Sequence, residues 1–197
     1  MRLYHFLNEH YGLKALCDQR LKVSEIMELN DPFELLSVDI ADKDMREAFN
    51  ALKRDFSTKY GLLCFSKKWV KPAQWTHYAD NHKGLCLGFD FSDNGLMKVS
   101  YVKERLDSPT TNEELNREFM KKVISTKHLH WKYEKEYRVF VPKKIEINGL
   151  YFSSFSKEFE LKEIIVGAKS DITRSGIHKI LGDNNSDIEP FKVRPAF

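Results

Sequence analysis

The sequence predicts an α+β fold: a single domain with a split, mostly antiparallel sheet flanked by helices. Three observations lead to this prediction. The chain has 197 residues, the length of one domain. Hydrophobic residues make up 42% of it, with 9 glycines and 6 prolines, which is typical of a packed core and not of a disordered chain. Helical and strand-like patterns do not alternate strictly, as they would in a parallel α/β sheet. We therefore expect one domain over residues 1–197.

In the first half of the chain, hydrophobic spacing predicts both strands and helices. The clearest strand is Leu85–Phe91, in which every second residue is a large apolar one, so that a half-buried strand is expected. Pro32 restrains the residue before it and predicts a fixed turn over Asn30–Glu34. The other predicted strands are Arg2–Phe6, Leu21–Val23 and Leu62–Ser66, and the predicted helices are Glu9–Gln19, Asp42–Lys59 and Pro72–Asn81.

In the second half, turn and capping signals set the predicted boundaries. Asp93-Asn94-Gly95 favours a hairpin that pairs Met97–Val102 with the strand before it. Thr111 and Glu114 have the spacing of a capping box, which predicts that a helix begins there. The remaining predictions are strands at Tyr137–Val141, Leu150–Phe155, Glu163–Val166 and Phe191–Arg194, and a last helix that Asp171 caps and that Gly182 ends after Leu181.

Charge and cysteine content narrow the class of protein. The 32 basic and 29 acidic residues give a net charge of +3, a mixed surface without the basic patch typical of nucleic-acid binding. No apolar run approaches the ~20 residues of a membrane helix, and the N-terminus lacks the pattern of a signal peptide. Cys17, Cys64 and Cys86 lie among apolar neighbours, which predicts free, mostly buried thiols in a cytoplasmic protein. Because the sequence has no C-x-x-C or H-x-x-x-H pair, we expect no metal.

Trp75, Tyr78 and His82 form the first candidate site. Their spacing places them on one face of the predicted helix. Two flat aromatic side chains beside an imidazole can hold an aromatic ring of a ligand. The alternative is a stripe that packs into the core, with His82 bonded to a backbone carbonyl near Gly84.

Glu134, Glu136 and Arg138 form the second candidate site. In a strand these alternate residues share one face. A carboxylate pair beside an arginine can orient hydroxyl groups or stabilise positive charge in a cleft. The alternative is a solvated face on which Arg138 simply clamps Glu136. The nearby Lys127 is grouped with Lys121 and Lys122 and is interpreted as part of a small, solvated basic group.

Three strings of residues carry a resemblance to a known family. They are Asn30-Asp31-Pro32-Phe33-Glu34, then Cys64-Phe65-Ser66 leading to residues 75–90, and finally Trp131-x-Tyr133-Glu134-x-Glu136-x-Arg138. In order and spacing they resemble a large bacterial family, domain-of-unknown-function family 2971, from about residue 2 to residue 168. The family label implies no activity.

The order of parts is also similar to the ADP-ribosyltransferase superfamily, especially its His-Tyr-Glu branch. This resemblance implies an ADP-ribosyltransferase-like fold that binds NAD. His5 on the first strand would bind a ribose hydroxyl. Ser66 would end a strand that leads to the helix on which Tyr78 stacks on nicotinamide. Glu136 would be the catalytic carboxylate at the start of a late strand, with Glu134 completing a Glu-x-Glu pair.

The resemblance thus implies two sets of site residues. The catalytic set is Glu136, His5 and Tyr78. The NAD-binding set is His5, Ser66, Trp75, Tyr78, His82, Glu134 and Arg138.

The expected function is NAD-dependent ADP-ribosyl transfer or NAD cleavage, of the bacterial toxin or phage-defence type, with NAD as substrate and no metal. The first alternative is a non-catalytic module that binds a nucleotide or a partner protein in the same cleft. The second is a metal-dependent nuclease that uses Asp90, Glu134 and Glu136. Against the nuclease stand the weak basic balance and the lack of a lysine paired with these carboxylates.

Overall fold

The computed structural model confirms an α+β fold with a large, mostly antiparallel sheet. It describes residues 1–29, 38, 40–92, 95–182 and 187–194, except for the side chains of Glu28 and Asn112. The turn predicted at Asn30–Glu34 lies outside these residues. Backbone contacts group the chain into two compact units, of which unit 1 comprises Met1–Lys22, Cys64–Asn94 and Ser153–Phe197, and unit 2 comprises Val23–Leu63 and Gly95–Phe152. The single domain stays a prediction.

Each strand and helix that the sequence predicts has a counterpart, with some bounds shifted. The strands are β1 (Arg2–Leu7), β2 (Arg20–Lys22), β3 (Tyr60–Ser66), β4 (Leu85–Phe91), β5 (Leu96–Lys98), β6 (Ser100–Val102), β7 (Thr126–His128), β8 (Glu136–Pro142), β9 (Ile145–Ile147), β10 (Leu150–Ser154), β11 (Phe159–Val166) and β12 (Phe191–Lys192). The helices are α1 (Glu9–Asp18), α2 (Lys43–Lys59), α3 (Pro72–Tyr78), α4 (Arg117–Ile124) and α5 (Arg174–Leu181), and short 3-10 helices lie at Ile26–Glu28, Asn112–Glu114 and Leu129–Glu134. Within the described ranges, no helix is both long and apolar enough to cross a membrane.

The strands of unit 1 are ordered β12-β11-β4-β1-β3, and Cys64–Ser66 is the part of β3 that belongs to this unit. Neighbouring strands are antiparallel, except that β11 and β12 are parallel. In this order β1 has a partner on each side, with Tyr4 opposite Ser66 and His5 opposite Leu87. The sheet therefore holds His5 on an inner strand.

β4 has the predicted bounds but is buried on both faces and is not half-buried. Its apolar face behaves as the alternation predicts. On the other face, Cys86 is 0% exposed and packs in a core cluster with Trp75, Ala79 and Ile165. Residues of α3 therefore cover the face that was expected to meet solvent. The alternation could not reveal this, because short side chains such as Cys86 and Gly88 carry little hydropathic signal.

All three cysteines are free, but only Cys86 is buried. Cys64 is partly buried, and Cys17 is exposed. Gly12, Ala15 and Leu16 form the buried side of α1. Because each residue turns about 100° around a helix, the residue after Leu16 points away from the core. The predicted burial of Cys17 was wrong for this reason.

Strand pairing in unit 2 differs from the predicted hairpin. β5 is antiparallel to β8, with Met97 opposite Arg138, and β6 is parallel to β7. β4, the expected partner, pairs instead with β1 and β11. The hairpin prediction was wrong because the turn signal before Gly95 is local, whereas the strand that β5 pairs with lies some forty residues further on.

α4 begins after Asn116, so the prediction that Thr111 and Glu114 start this helix was wrong. The Asn116 side-chain oxygen accepts hydrogen bonds from the backbone N–H groups of Glu118 at 3.0 Å and Phe119 at 3.1 Å. The Glu114 carboxylate accepts hydrogen bonds from the backbone N–H groups of Thr110 and Thr111, at the short 3-10 helix Asn112–Glu114 that precedes α4. Asn116 thus satisfies the unpaired donors at the start of the helix.

Asn116→Ala is expected to lower the free energy of unfolding by about 1 kcal/mol, because two helix N–H groups lose their acceptor. Thr111→Ala, at the first position of the predicted capping box, is the matched control and is expected to change stability by less than about 0.5 kcal/mol. Urea denaturation followed by circular dichroism measures both. Equal losses for the two variants would contradict this assignment of the cap.

Side chains that precede α2 and α5 cap these two helices. The helix predicted to begin at Asp42 is α2, and the Asp42 side chain caps it by accepting a hydrogen bond from the Met45 N–H at 2.8 Å. α5 is capped by Thr173 and not by Asp171. Gly182 ends α5 as predicted, with a φ of 55° that glycine adopts readily.

Candidate functional site

The predicted site residues are divided between the two units. His5, Ser66, Trp75, Tyr78 and His82 belong to unit 1, whereas Glu134, Glu136 and Arg138 belong to unit 2. That the two groups share one cleft stays a prediction.

His5 is held by the backbone of the neighbouring strand. Its Nδ1 lies 2.7 Å from the Cys64 carbonyl oxygen, and because a carbonyl only accepts, Nδ1 carries the proton. Burial lowers the pKa of His5, and the hydrogen bond to Cys64 opposes that shift only in part. The imidazole is therefore neutral at pH 7. A neutral ring protonated on Nδ1 offers Nε2 as an acceptor for a ligand hydroxyl.

Ser66 and Trp75 are committed to the packing of the segment that leads into α3. Ser66 is 4% exposed, and its hydroxyl lies 2.9 Å from the Lys68 carbonyl oxygen and 3.2 Å from Gln74 Oε1. Trp75 is 2% exposed, and its indole N–H donates to the Trp69 carbonyl at 2.7 Å. These two side chains offer little surface to a ligand, so for Trp75 the core-packing alternative holds.

α3 ends at Tyr78, so Trp75, Tyr78 and His82 do not share one helix face as predicted. After the helix, Asp80, Asn81 and His82 have left-handed φ values of 45°, 51° and 73°. This turn nevertheless brings the His82 ring parallel to the Trp75 indole, with 6.3 Å between ring centres and 9° between planes. Tyr78 and His82 are partly exposed, so they are the aromatic residues of this group that a ligand can contact.

The left-handed turn is enforced by its surroundings. For residues other than glycine this conformation costs roughly 1–2 kcal/mol each, and Asn and Asp tolerate it best. The His82 N–H donates to the Trp75 carbonyl at 3.2 Å, and the His82 carbonyl accepts from the Lys169 N–H at 3.0 Å. A Cβ at Gly167 would lie 2.2 Å from the His82 carbonyl oxygen, so only glycine fits there. Because enforced strain clusters at functional sites, Tyr78 to His82 is the candidate ligand-facing region of unit 1.

In unit 2, Glu134, Glu136 and Arg138 form a buried ionic network with a fourth residue, Lys127. Their exposed fractions are 4%, 5%, 1% and 7% in that order, so the solvated alternative is wrong. Glu136 and Arg138 share a face of β8 as predicted, but Glu134 ends the preceding 3-10 helix and is not in the strand. Between them Lys135 has a φ of 47°, a turn after which both carboxylates contact Lys127.

Charge-assisted hydrogen bonds connect the four side chains. Lys127 Nζ lies 2.9 Å from Oε2 of Glu134 and 2.9 Å from Oε2 of Glu136. Arg138 clamps Glu136 with two bonds, from Nε to Oε1 at 2.8 Å and from Nη2 to Oε2 at 3.1 Å. Arg138 Nη1 also donates to the carbonyl of Ile124, the last residue of α4. The four side chains carry two positive and two negative charges, so the network is formally neutral.

The pKa values of Lys127 in the network and of Tyr101 beside it are both raised. Burial alone would lower the pKa of Lys127, but the Glu136 and Glu134 carboxylates outweigh it and raise that pKa well above its usual value. The ammonium therefore stays charged, and it also lies 5.0 Å from the centre of the Trp131 ring. The Tyr101 hydroxyl accepts a hydrogen bond from the Glu136 N–H at 2.8 Å, and burial raises the pKa of Tyr101 to about 12.

Lys127 is the member of the network that sequence reasoning missed. It was grouped with Lys121 and Lys122 as solvated, but it alone of the three is buried. No local pattern distinguishes them, since the burial of Lys127 depends on two carboxylates further along the chain. The paired lysine whose lack counted against a nuclease is therefore present.

Asp90, the third carboxylate of the nuclease alternative, lies in unit 1 and is paired with Arg2. Arg2 Nη2 lies 2.8 Å from Asp90 Oδ2, and Arg2 Nε lies 3.0 Å from Oδ1. The hydrogen bond with Arg2 holds the pKa of Asp90 below its usual value. The two residues lie directly opposite each other, so the pair ties β1 to β4. In the part of the chain that the structure describes, no group of three or more His, Cys, Asp or Glu residues could hold a metal ion.

Comparison with known proteins gives a family for part of the chain. A family model described as "protein of unknown function (DUF2971)" matches residues 74–139, a third of the chain. No curated protein and no solved structure matches. The matched segment begins in α3 and ends in β8, and it includes the left-handed turn and the whole ionic network. The likeness to the ADP-ribosyltransferases stays a prediction. Residues 74–139 thus carry the signature of domain-of-unknown-function family 2971, the family that the sequence motifs indicated.

Proposed function

We propose that the protein uses NAD as a substrate, for ADP-ribosyl transfer or NAD cleavage of the bacterial toxin or phage-defence type, with Glu136 as the catalytic carboxylate. The observation that carries this proposal is the buried network, in which Lys127 and Arg138 fix the Glu136 carboxylate in one orientation. A carboxylate held in one orientation suits a reaction in which positive charge develops at the glycosidic carbon, as in glycoside cleavage.

The network is a costly device if it serves the fold alone. Moving each charge out of water costs several kcal/mol, and apolar residues of similar volume often give equal or greater stability. Clusters of buried, interacting ionisable groups are frequent at functional sites. Four such residues, each less than a tenth exposed, therefore favour a role in chemistry or binding.

The residues that we expect to contact NAD belong to unit 1. His5 Nε2 is the acceptor for a ribose hydroxyl, because Nδ1 is already bonded to the Cys64 carbonyl. Tyr78 and His82 are partly exposed and offer ring surface for nicotinamide. Ser66 and Trp75 act indirectly, by positioning the start of α3. Because NAD is an intracellular metabolite, this function places the protein in the cytoplasm.

A non-catalytic module that binds a nucleotide or a partner protein is the second candidate. The observation that favours it is the reach of the network, which ties together α4, β7, the 3-10 helix before β8 and β8 itself. Such a role requires no chemistry. It also accounts directly for the 5% exposure of Glu136.

Two measurements on the purified full chain test the proposal. The first compares melting temperatures with NAD, with AMP and with Mg²⁺, because a ligand that binds the folded state raises the melting temperature. The second measures release of nicotinamide from NAD, with and without cell lysate as a source of acceptor. We expect stabilisation by NAD and release of nicotinamide.

The other outcomes separate the alternatives. Stabilisation by NAD or AMP without release of nicotinamide leaves the binding module. Stabilisation by Mg²⁺ together with cleavage of DNA or RNA supports the nuclease. Protein that neither binds NAD nor releases nicotinamide refutes the proposed function.

A further inference from the structure

The hairpin of β9 and β10 has an exposed apolar face, and its residues 145–152 belong to unit 2. The two strands are antiparallel and are joined by Asn148-Gly149, both with positive φ, at 52° and 77°. Because side chains alternate along a strand, Ile145, Ile147 and Leu150 share one face of the hairpin. They are 43%, 39% and 41% exposed. Three large apolar side chains therefore meet solvent on one small hairpin.

β9 presents an open edge. It is the end strand of its sheet within the described residues. Ile147 and Leu150 flank a two-residue turn, and such a pair exchanges hydrogen bonds across the hairpin, so the N–H and C=O of Glu146 point away from β10. On the polar face Glu146 lies opposite Tyr151, and its charge raises the pKa of Tyr151. An end strand with outward-pointing backbone groups is a template for another strand.

Pairing with the same edge of a second copy selects one register. Residues directly opposite each other share a face, so the register decides which side chains meet. With Ile145 opposite Ile145 of the second copy, Lys144 lies opposite Glu146, and Glu146 lies opposite Lys144. The next register in one direction opposes two Glu146 residues, and in the other direction it opposes two Lys144 residues. Like charges directly opposite are destabilising, so of these three registers only the one centred on Ile145 places opposite charges across from each other.

We propose that the chain forms a symmetric dimer through antiparallel pairing of β9 with β9 of a second copy. In this dimer the Glu146 N–H of each copy donates to the Lys144 carbonyl of the other. The Lys144 N–H keeps its bond to the Pro142 carbonyl, at 2.9 Å. The two Ile145 side chains meet at the two-fold axis, and two Lys144–Glu146 ion pairs flank them on the opposite face. A surface that pairs with itself in this way has the property required of an isologous interface.

Charge reversal tests the dimer. Sedimentation velocity over a range of concentrations compares the wild-type chain with Lys144→Glu, with Glu146→Lys and with the double variant. Each single reversal replaces two attractive pairs by two repulsive ones, and we expect it to weaken association about tenfold or more. The double variant restores opposite charges in the same register, so we expect it to dimerise like the wild type.

Glu160→Lys and Lys162→Glu are the control variants. They reverse an exposed Glu–Lys pair with the same spacing on β11, a strand with neighbours on both sides, and we expect no change in association. Circular dichroism checks that every variant is folded. A wild-type chain that stays monomeric at all concentrations overturns the proposal. So do single reversals that dimerise normally, or a double variant that does not recover.

Discussion

Arg138→Met is expected to lower the free energy of unfolding by about 3–5 kcal/mol, the typical cost of removing one partner from a buried ion pair. Arg138 is 1% exposed and holds Glu136 through two hydrogen bonds. Methionine fills much of the same volume, but it leaves two buried carboxylates to share Lys127. It also removes the donor to the Ile124 carbonyl at the end of α4. Urea denaturation followed by circular dichroism measures the loss.

A double variant makes this comparison sharper. Arg138→Met combined with Glu136→Met removes one charge of each sign and leaves the Lys127–Glu134 pair, with 2.9 Å between Nζ and Oε2. We expect the double variant to be more stable than Arg138→Met by about 1–2 kcal/mol, because no buried charge is left without a partner.

The surface control is Lys162→Met, which removes an exposed ion pair on β11 and should cost less than about 1 kcal/mol. An Arg138→Met variant as stable as this control would contradict the role of the network in unit 2. A double variant less stable than Arg138→Met would do the same.

The sequence predicted most elements because their signals are local. The bounds of β4 follow from alternate apolar residues starting at Leu85. The helix predicted to begin at Asp42 is α2, which the Asp42 side chain caps. Pairing is a different kind of information. β5 pairs with β8, and nothing within the short strand Leu96–Lys98 identifies that partner. The hairpin prediction failed on this point.

The end of α3 was a readable signal, but the conformation that follows it was not. Asp80 and Asn81 are residues that tolerate left-handed φ and commonly end helices. The sequence therefore carried a signal for a helix end near Asp80. His82 has no such preference. Its left-handed conformation depends on the Lys169 N–H, nearly ninety residues away in the chain. The stacking of His82 on Trp75 therefore depends on the left-handed turn after α3 and not on helical spacing.

The ionic network was half predictable for a related reason. Glu136 and Arg138 lie two residues apart, so a strand places them on one face and their clamp follows from the spacing. A short 3-10 helix and the left-handed Lys135 lie between Lys127 and β8 in the chain. Neither has a periodic pattern that could have predicted the contact. Hydropathy patterns assume that charged residues are exposed, and these four are buried because they pair with one another. The prediction of a solvated face was wrong for this reason.

Glu136→Gln is expected to lower the turnover of NAD by about 10²–10³-fold, equivalent to about 3–4 kcal/mol of transition-state stabilisation. Glutamine keeps the shape of the side chain but has no charge to oppose the positive charge that develops at the glycosidic carbon. Binding of NAD in the ground state should change far less, so kcat falls while KM stays near its wild-type value. Steady-state release of nicotinamide measures both constants, at a temperature well below the melting point of the variant.

Glu134→Gln is the matched control for that loss. Glu134 is 4% exposed against 5% for Glu136, and it shares the same Lys127 ammonium. If the network were purely structural, the two substitutions would lower stability and activity together. A catalytic Glu136 predicts a split, in which Glu134→Gln still releases nicotinamide without acceptor and affects mainly transfer to the acceptor. Equal losses in the two variants, or wild-type turnover in Glu136→Gln, would reduce Glu136 to a structural residue and leave the binding module as the function.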